Sequence, residues 1–286
     1  MITRTKASSL RERITRVTKN RGFTVLFAVL SLLAWITVWH ALAAKMDKPL
    51  LLPYPYDVLC RFLALTKSAL FWRCTAYSML SVLLGLLYAI LLGIVFSALT
   101  ARFPLLRTLL SPLLSVIRST PVAAFIVLLL LWVGRDETPI VITMLVALPP
   151  VWKNLEAGLL SVDPALAEMS RALGLPLWKR ILYLWIPSVL PHFRSAVQTA
   201  VGMGWKAGIA AEILALPTLS IGREIYNANL LLETTDLFAW TLAVVLLSLL
   251  IELCMTGLIG RLFPRKRHGA DRMKGGEQNE PRHRTP

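Results

Sequence analysis

Six stretches of this chain are apolar over a length that fits a lipid bilayer, a pattern no soluble domain carries. A helix needs about 20 apolar residues to cross a hydrocarbon core of roughly 30 Å. The six runs are residues 23–43, 75–99, 113–133, 138–151, 192–214 and 237–258. The fourth is the shortest; it meets Pro149 and Pro150 at its end and is expected to reach a little further, through Trp152, with a kink. Only 16% of the residues are charged, against about 25% in soluble domains, so lipid serves as a solvent for much of the surface. The reading is an all-α membrane protein with six transmembrane helices. The first run has no small-residue cleavage pattern behind it and reads as a retained helix.

In such a chain the formal net charge of +15 reports sidedness before it reports nucleic acid, because Lys and Arg accumulate in cytoplasmic loops. Segment 1–22 is basic, with Arg4, Lys6, Arg11, Arg13, Arg16, Lys19 and Arg21, and segment 261–286 is basic again, from Arg261 to Arg284. An even number of spans places both termini in the cytoplasm, which satisfies both clusters at once. Arg102 and Arg107, then Lys153, Arg171, Lys179, Arg180 and Arg194, fall on the same side. Segment 44–74 is outside in this scheme although it holds Lys45, Lys48, Arg61, Lys67 and Arg73. Beyond Arg261 the tail has almost nothing apolar to offset the entropy of ordering and is expected to be disordered.

The outer segment has its own signal. Pro53, Pro55 and Asp57 open a helix, and Val58, Phe62, Leu65 and Ala69 follow at helical spacing, as in a helix lying along the interface. Trp39, Trp72, Trp132 and Trp240 are expected near the outer boundary and Trp152 near the inner one. Cys60, Cys74 and Cys254 form no CxxC pair and have no His at metal-ligand spacing, so no metal site is expected. A bridge between Cys60 and Cys74 is left open, since spacing does not fix geometry.

The loop between the fourth and fifth runs, 159–190, is written as two short helices around a turn. Asp163 caps a helix whose first residue is Pro164. That helix spans 165–173, Gly174 supplies a left-handed stop, and Pro176 prevents continuation. A second helix over 177–185 is expected to end before Pro187. Glu168 presents a charge, while Ala172, Leu173, Leu175, Leu177 and Trp178 present apolar surface of the kind that a partner covers.

The order Glu168-Met169-Ser170, three residues, Gly174, nine residues, Leu184-Trp185-Ile186-Pro187 resembles the EAA loop of permease subunits of bacterial ABC importers. In that pattern Glu-Ala-Ala, Gly and Ile-x-Leu-Pro recur at the same intervals; Met169 and Ser170 replace the two alanines. Glu156-Ala157-Gly158 is similar to its start but has no glycine at the right distance. The resemblance covers residues 53–258 and points to the nitrate, sulfonate and taurine branch. Leu52-Pro53 with Asp57-Val58, Arg118-Ser119-Thr120-Pro121 opening the third run, Asp163-Pro164, and Trp205-Lys206 with Ala210-Ala211-Glu212 look like that branch. It implies a type I ABC importer permease fold with its core over 71–258, in the multi-pass inner membrane of a bacterial cell. It also implies a second permease subunit, in a homodimer, a cytoplasmic ATPase dimer that docks on the loop and consumes the ATP, and an extracytoplasmic solute-binding protein. The chain lacks GxxxxGK[ST] and is expected to bind no cofactor itself and to be no enzyme.

A charge at the bilayer centre costs about 2.5–3.5 kcal/mol on insertion scales, so ionisable residues inside spans face a partner or water. Arg118, Lys206, Glu212 and Glu252 are such residues. Lys206 and Glu212, about 120° apart around one helix, cannot pair with each other. Arg118 with Glu252 is a structural alternative to a transport role. On the fifth run Ala196, Ala200, Gly204 and Gly208 recur every fourth residue as a packing seam, with Trp205 and Lys206 beside it where an anionic solute could pass. With Arg118 and Glu212 they are the candidate pathway residues. A secondary transporter or channel would use the same charges but has no use for a docking loop.

Overall fold

The computed structural model describes residues 21–262, all helix and connection, with no strand among them. The basic segment before residue 21 and the tail beyond 262 lie outside the described residues. Eleven α-helices follow in order among the described residues: α1 (Arg21–Met46), α2 (Pro55–Leu65), α3 (Ala69–Arg102), α4 (Pro104–Ser119), α5 (Val122–Trp132), α6 (Thr138–Leu160), α7 (Pro164–Ala172), α8 (Leu177–Arg180), α9 (Ile186–Ala215), α10 (Ile221–Leu230) and α11 (Thr234–Leu262). Four of them, over Val25–Met46, Ala69–Arg102, Thr138–Leu160 and Thr234–Met255, are long and apolar enough to cross a membrane. The pair α4 and α5 adds a fifth crossing if it acts as one broken span. α9, with 30 residues, extends about 45 Å but carries Arg194, Gln198, Lys206 and Glu212 and is less apolar than those four.

The third run is not the single straight helix expected over 113–133. α4 and α5 meet at 103°. Pro121 clashes with a helical conformation at the residue before it, so Thr120 is extended, with ψ of 130°, and α5 starts afresh. The fourth run extends much further than its apolar stretch, through both prolines to Leu160. Prolines are tolerated here because neighbouring helices enclose the backbone they disturb; one turn on, Asn154 Nδ2 donates back to the Pro150 carbonyl at 2.7 Å.

The core lies where α3, α6 and α9 pack side by side, with Val82, Leu86 and Ala89 meeting Ala147, Val151, Leu155, Val197, Ala200 and Val201. The seam on α9 is built as its small residues require. A Cβ on Gly204 would stand 3.0 Å from Leu86 Cδ2, and one on Gly208 would stand 2.6 Å from Thr143 Oγ1 and 2.7 Å from Val82 Cγ2. Backbones approach where side chains are missing, which is how spans associate without a hydrophobic drive.

α1 stands apart, its side chains mostly open from Val25 onward, and is tied to the rest at its C-terminal end. There Trp39 Nε1 donates to the Pro53 carbonyl at 3.1 Å and the Trp39 ring lies 5.8 Å from Phe238. α2 is the helix read at Pro55 from the sequence, with Pro55 in its first turn and Val58 buried; the Arg61 guanidinium binds Asp236 on α11, 2.7 Å between Nη2 and Oδ2. Trp72 and Trp132 are exposed, as a boundary belt requires, but Trp240 is buried against Phe71, ring centroids 5.3 Å apart. Cys60, exposed, and Cys74, buried, are both free thiols, so no bridge joins them.

Candidate functional site

The 163–187 hairpin is assembled from local signals. Asp163 Oδ1 accepts from the Ala165 N–H at 2.9 Å and Pro164 occupies the first helical position, so α7 starts at that point. Its end is a Schellman motif. Gly174 has φ +64°, its N–H donates to the Arg171 carbonyl at 2.9 Å, and the Leu175 N–H donates to the Ser170 carbonyl at 3.2 Å. Pro176, extended at ψ 151°, then redirects the chain into α8.

The second arm differs from the expected short helix. It does not stop before Pro187 but passes from α8 through a π-helical turn, Ile181–Trp185, straight into α9. The Ile186 N–H donates to the Ile181 carbonyl five residues back. In an unbroken α-helix the Pro187 ring would collide with the carbonyl of Tyr183; the wider turn ahead of it removes that collision. The second arm of the hairpin and α9 are therefore one continuous rod.

At the tip, Glu168, Ala172 and Gly174 are open to solvent, with Leu173 67% and Trp178 60% exposed, and Met169, Leu175 and Leu177 beside them. The Lys179 ammonium lies 5.4 Å from the Trp178 ring centroid. An apolar tip of this size, held rigid and uncovered, has the character of surface that a partner covers. At the base, Gly158 on α6 abuts His192 on α9: a Cβ there would stand 2.9 Å from the His192 Cβ. An apolar cavity of about 360 Å³ lies beside that closure, lined by Ile94 and Ala98 of α3, Leu155 and Leu159 of α6, and Ile181 and Trp185 of the π turn.

The same end is pinned by polar contacts. Glu156, the start of the discarded second motif, lies within α6 and is buried, meeting the Lys153 ammonium at 2.9 Å and Arg107 at 3.4 Å. Trp152 is not a boundary residue: it is buried, stacked 4.8 Å from Phe96, and its Nε1 donates to Thr100 Oγ1 at 3.0 Å.

The four candidate pathway residues divide. Trp205 and Glu212 are buried in the α9 packing face, while Lys206 and Arg118 are exposed. Glu212 Oε2 accepts from Ser78 Oγ at 2.8 Å and from the Gly222 N–H at 3.0 Å, and Ser78 Oγ in turn accepts from the Ile221 N–H at 3.0 Å. Two long helices, α3 and α9, and the N-terminus of α10 thus meet at one carboxylate, where opposite partial charge stabilises it. Neither Ser78 nor α10 was anticipated from the sequence; the available signal was Ser220, whose hydroxyl caps α10 by accepting from the Arg223 N–H at 3.1 Å. Arg118 and Glu252 are both exposed and, among the described residues, do not pair with each other.

Residues 89–268 match the family described as binding-protein-dependent transport system inner membrane component. The chain belongs to that family. As a member it is a multi-pass membrane protein of a transport system. It is 28% identical over 252 residues to the taurine transport system permease protein TauC of Escherichia coli, covering 86% of this chain and 90% of that one. It is 30% identical to the aliphatic sulfonates transport permease protein SsuC, designated putative, of the same organism, over 71% of this chain and 76% of that one. The fold is that of solved ABC transporter chains. One, from the MetNI methionine transporter, superposes with a TM-score of 0.51 at 20% identity over 67% of this chain and 94% of its own length. Another, from an amino acid ABC transporter, gives 0.51 at 18% identity over 71% and 95%.

Proposed function

We propose that this chain is the membrane-spanning permease subunit of an ATP-driven ABC importer. Two copies form the solute path, an extracytoplasmic binding protein delivers the solute, and a separate cytoplasmic ATPase docks on the 163–187 hairpin. In this reading the six crossings are α1, α3, the bent pair α4 and α5, α6, α9 and α11. Both termini are cytoplasmic, with the basic segments 1–22 and 261–286 on the inner side, in a bacterial inner membrane. The core of the unit is 71–258 with its docking loop at 159–190. The solute is a small anion such as a sulfonate, taurine or nitrate, which the taurine and sulfonate permease relatives support.

One observation carries the reading: an exposed apolar tip, Leu173 to Trp178, is built onto an arm continuous with α9. Force applied at the tip has a rigid route into the packed core, because α9 meets α3 and α6 along the glycine seam. Glu168 adds a charge for the partner and Asp163 and Pro187 fix the two arms.

The test is copurification with the cognate ATPase. Gly174→Asp is expected to stay in the membrane and lose the ATPase, and a Trp178→Cys thiol is expected to react only from the inner side. An ATPase that copurifies normally with the Asp variant, or a hairpin that labels from outside, refutes the docking role.

A further inference from the structure

The exposed lysine of α9 lies close to the level of the midpoint of α3, a helix long and apolar enough to cross a membrane. Around the α9 axis, Val197, Ala200, Gly204, Gly208 and Ala211 are buried against the other helices, whereas Thr199, Met203, Lys206, Ala210 and Leu214 form a continuous exposed stripe on the opposite side. Depth follows from the packing. Gly204 lies level with Leu86, 3.0 Å from where its Cβ would be, and Leu86 is the midpoint of α3, 17 residues from Ala69 and 16 from Arg102. Lys206 is two residues further along, about 3 Å of rise.

From that depth neither interface is within easy reach of a lysine stem, since half the hydrocarbon core is about 15 Å. Lipid over this stripe would cost about 2.5–3.5 kcal/mol for the charge alone, so a wet path is the better cover. Among the described residues Lys206 makes no ion pair. Glu212 is on another side of the helix and already holds Ser78 and the Gly222 N–H. Glu252 is exposed on α11 and makes no ion pair among the described residues. What remains is water and an anion from outside the chain.

We propose that the Thr199–Lys206–Leu214 stripe lines the solute path and that the Lys206 ammonium recognises the anionic head of the solute, a sulfonate or similar single-charged oxyanion, at mid-membrane. The same lysine of the second copy faces it across the path. This rests on the two-copy importer proposed above and adds the group that selects the solute. A bare ammonium offers three donors to an oxyanion, and Met203 and Leu214 on either side give an apolar wall for a short carbon chain. The buried Trp205 and Glu212 hold α9 in place and do not touch the solute.

The experiment uses the full transporter, with its ATPase and binding protein, in proteoliposomes, with taurine, a short alkanesulfonate and nitrate as probes. Lys206→Met is expected to lower uptake about tenfold or more, the loss of one charge-assisted contact, with the ATPase still copurifying. Lys206→Arg, which keeps the charge, is expected to recover most of the uptake. In a background lacking Cys60, Cys74 and Cys254, a Lys206→Cys thiol is expected to react with an anionic, membrane-impermeant methanethiosulfonate. Uptake by the Met variant equal to wild type overturns the proposal, and so does a Lys206→Cys thiol that the reagent cannot reach. If the wild type moves none of the three probes, the thiol result alone decides. An ATPase that never binds the wild type sinks the docking reading and leaves the thiol result standing.

Discussion

Gly174 offers a clean measurement of how much the proposed docking role of the 163–187 hairpin depends on backbone geometry. Its φ is +64°, and nothing lies within 4 Å of the position a Cβ would take. Substitution there meets no steric wall, so its cost is conformational only. An L-residue held in the left-handed region costs about 1–2 kcal/mol, and Asn escapes part of that through local hydrogen bonding. An energy of that size changes a population by roughly 5- to 30-fold. If the ATPase reads the hairpin only in its Schellman-closed form, and that form is the minority one before the partner binds, the apparent Kd rises by the same factor. Gly174→Ala should therefore weaken ATPase binding to the permease in nanodiscs by about 5- to 30-fold, and Gly174→Asn by clearly less. Thermal stability of the spans should not move in either variant, because the hairpin tip buries nothing. Wild-type affinity in the Ala variant would refute the dependence on this turn, and equal loss in Ala and Asn would show that side-chain bulk, not φ, is what the partner detects.

Two further outcomes test the outer half of the molecule. Glu212→Leu removes the acceptor shared by Ser78 and the Gly222 N–H and leaves both donors buried, about 1–3 kcal/mol each, so Tm in detergent should fall well below that of Glu212→Gln, which still accepts; equal values would contradict the anchor. Glu224, on α10 outside the spans, has its carboxyl pushed above the usual 4.5 by burial, with Arg223 pulling the other way. A raised carboxyl binds its proton more tightly in the folded chain, so its contribution is complete below the unfolded value and is lost as pH rises through the folded one. Glu224→Gln should accordingly raise Tm near pH 7 and leave it unchanged near about pH 4, and a rise of equal size at both would point to something other than the charge.

Periodicity made much of this legible. The small-residue seam on α9, the outer helix at Pro55 and the Asp163–Pro164 and Gly174–Pro176 signals are short-range patterns, and short-range physics decides them. The misses have a common origin in which neighbour encloses a residue. Pro121 was read as the opening of a span but lies at a bend, because a proline says that a helix restarts and not in which direction. Pro149 and Pro150 were expected to kink the helix and let it reach only about Trp152, although α6 continues to Leu160, since its neighbours shelter the backbone. Trp152 and Trp240 were read as boundary rings and are core, and the sidedness of Trp205, Lys206 and Glu212 on α9 depends on where α3 and α6 lie. Ser78 could not be found at all: its role exists only when a residue 134 positions away along the chain comes within 2.8 Å.

The π turn at Ile181–Trp185 inserts one residue more than an α-helix would need over the same rise, and each residue of an α-helix advances the chain by about 100°. The direction in which Leu173 and Trp178 point, relative to the glycine seam that holds α9, is consequently set by a single supernumerary residue. Delete one position between 181 and 185 and the tip swings by more than a quarter of a circle while every span keeps its place, a change in aim with no change in composition.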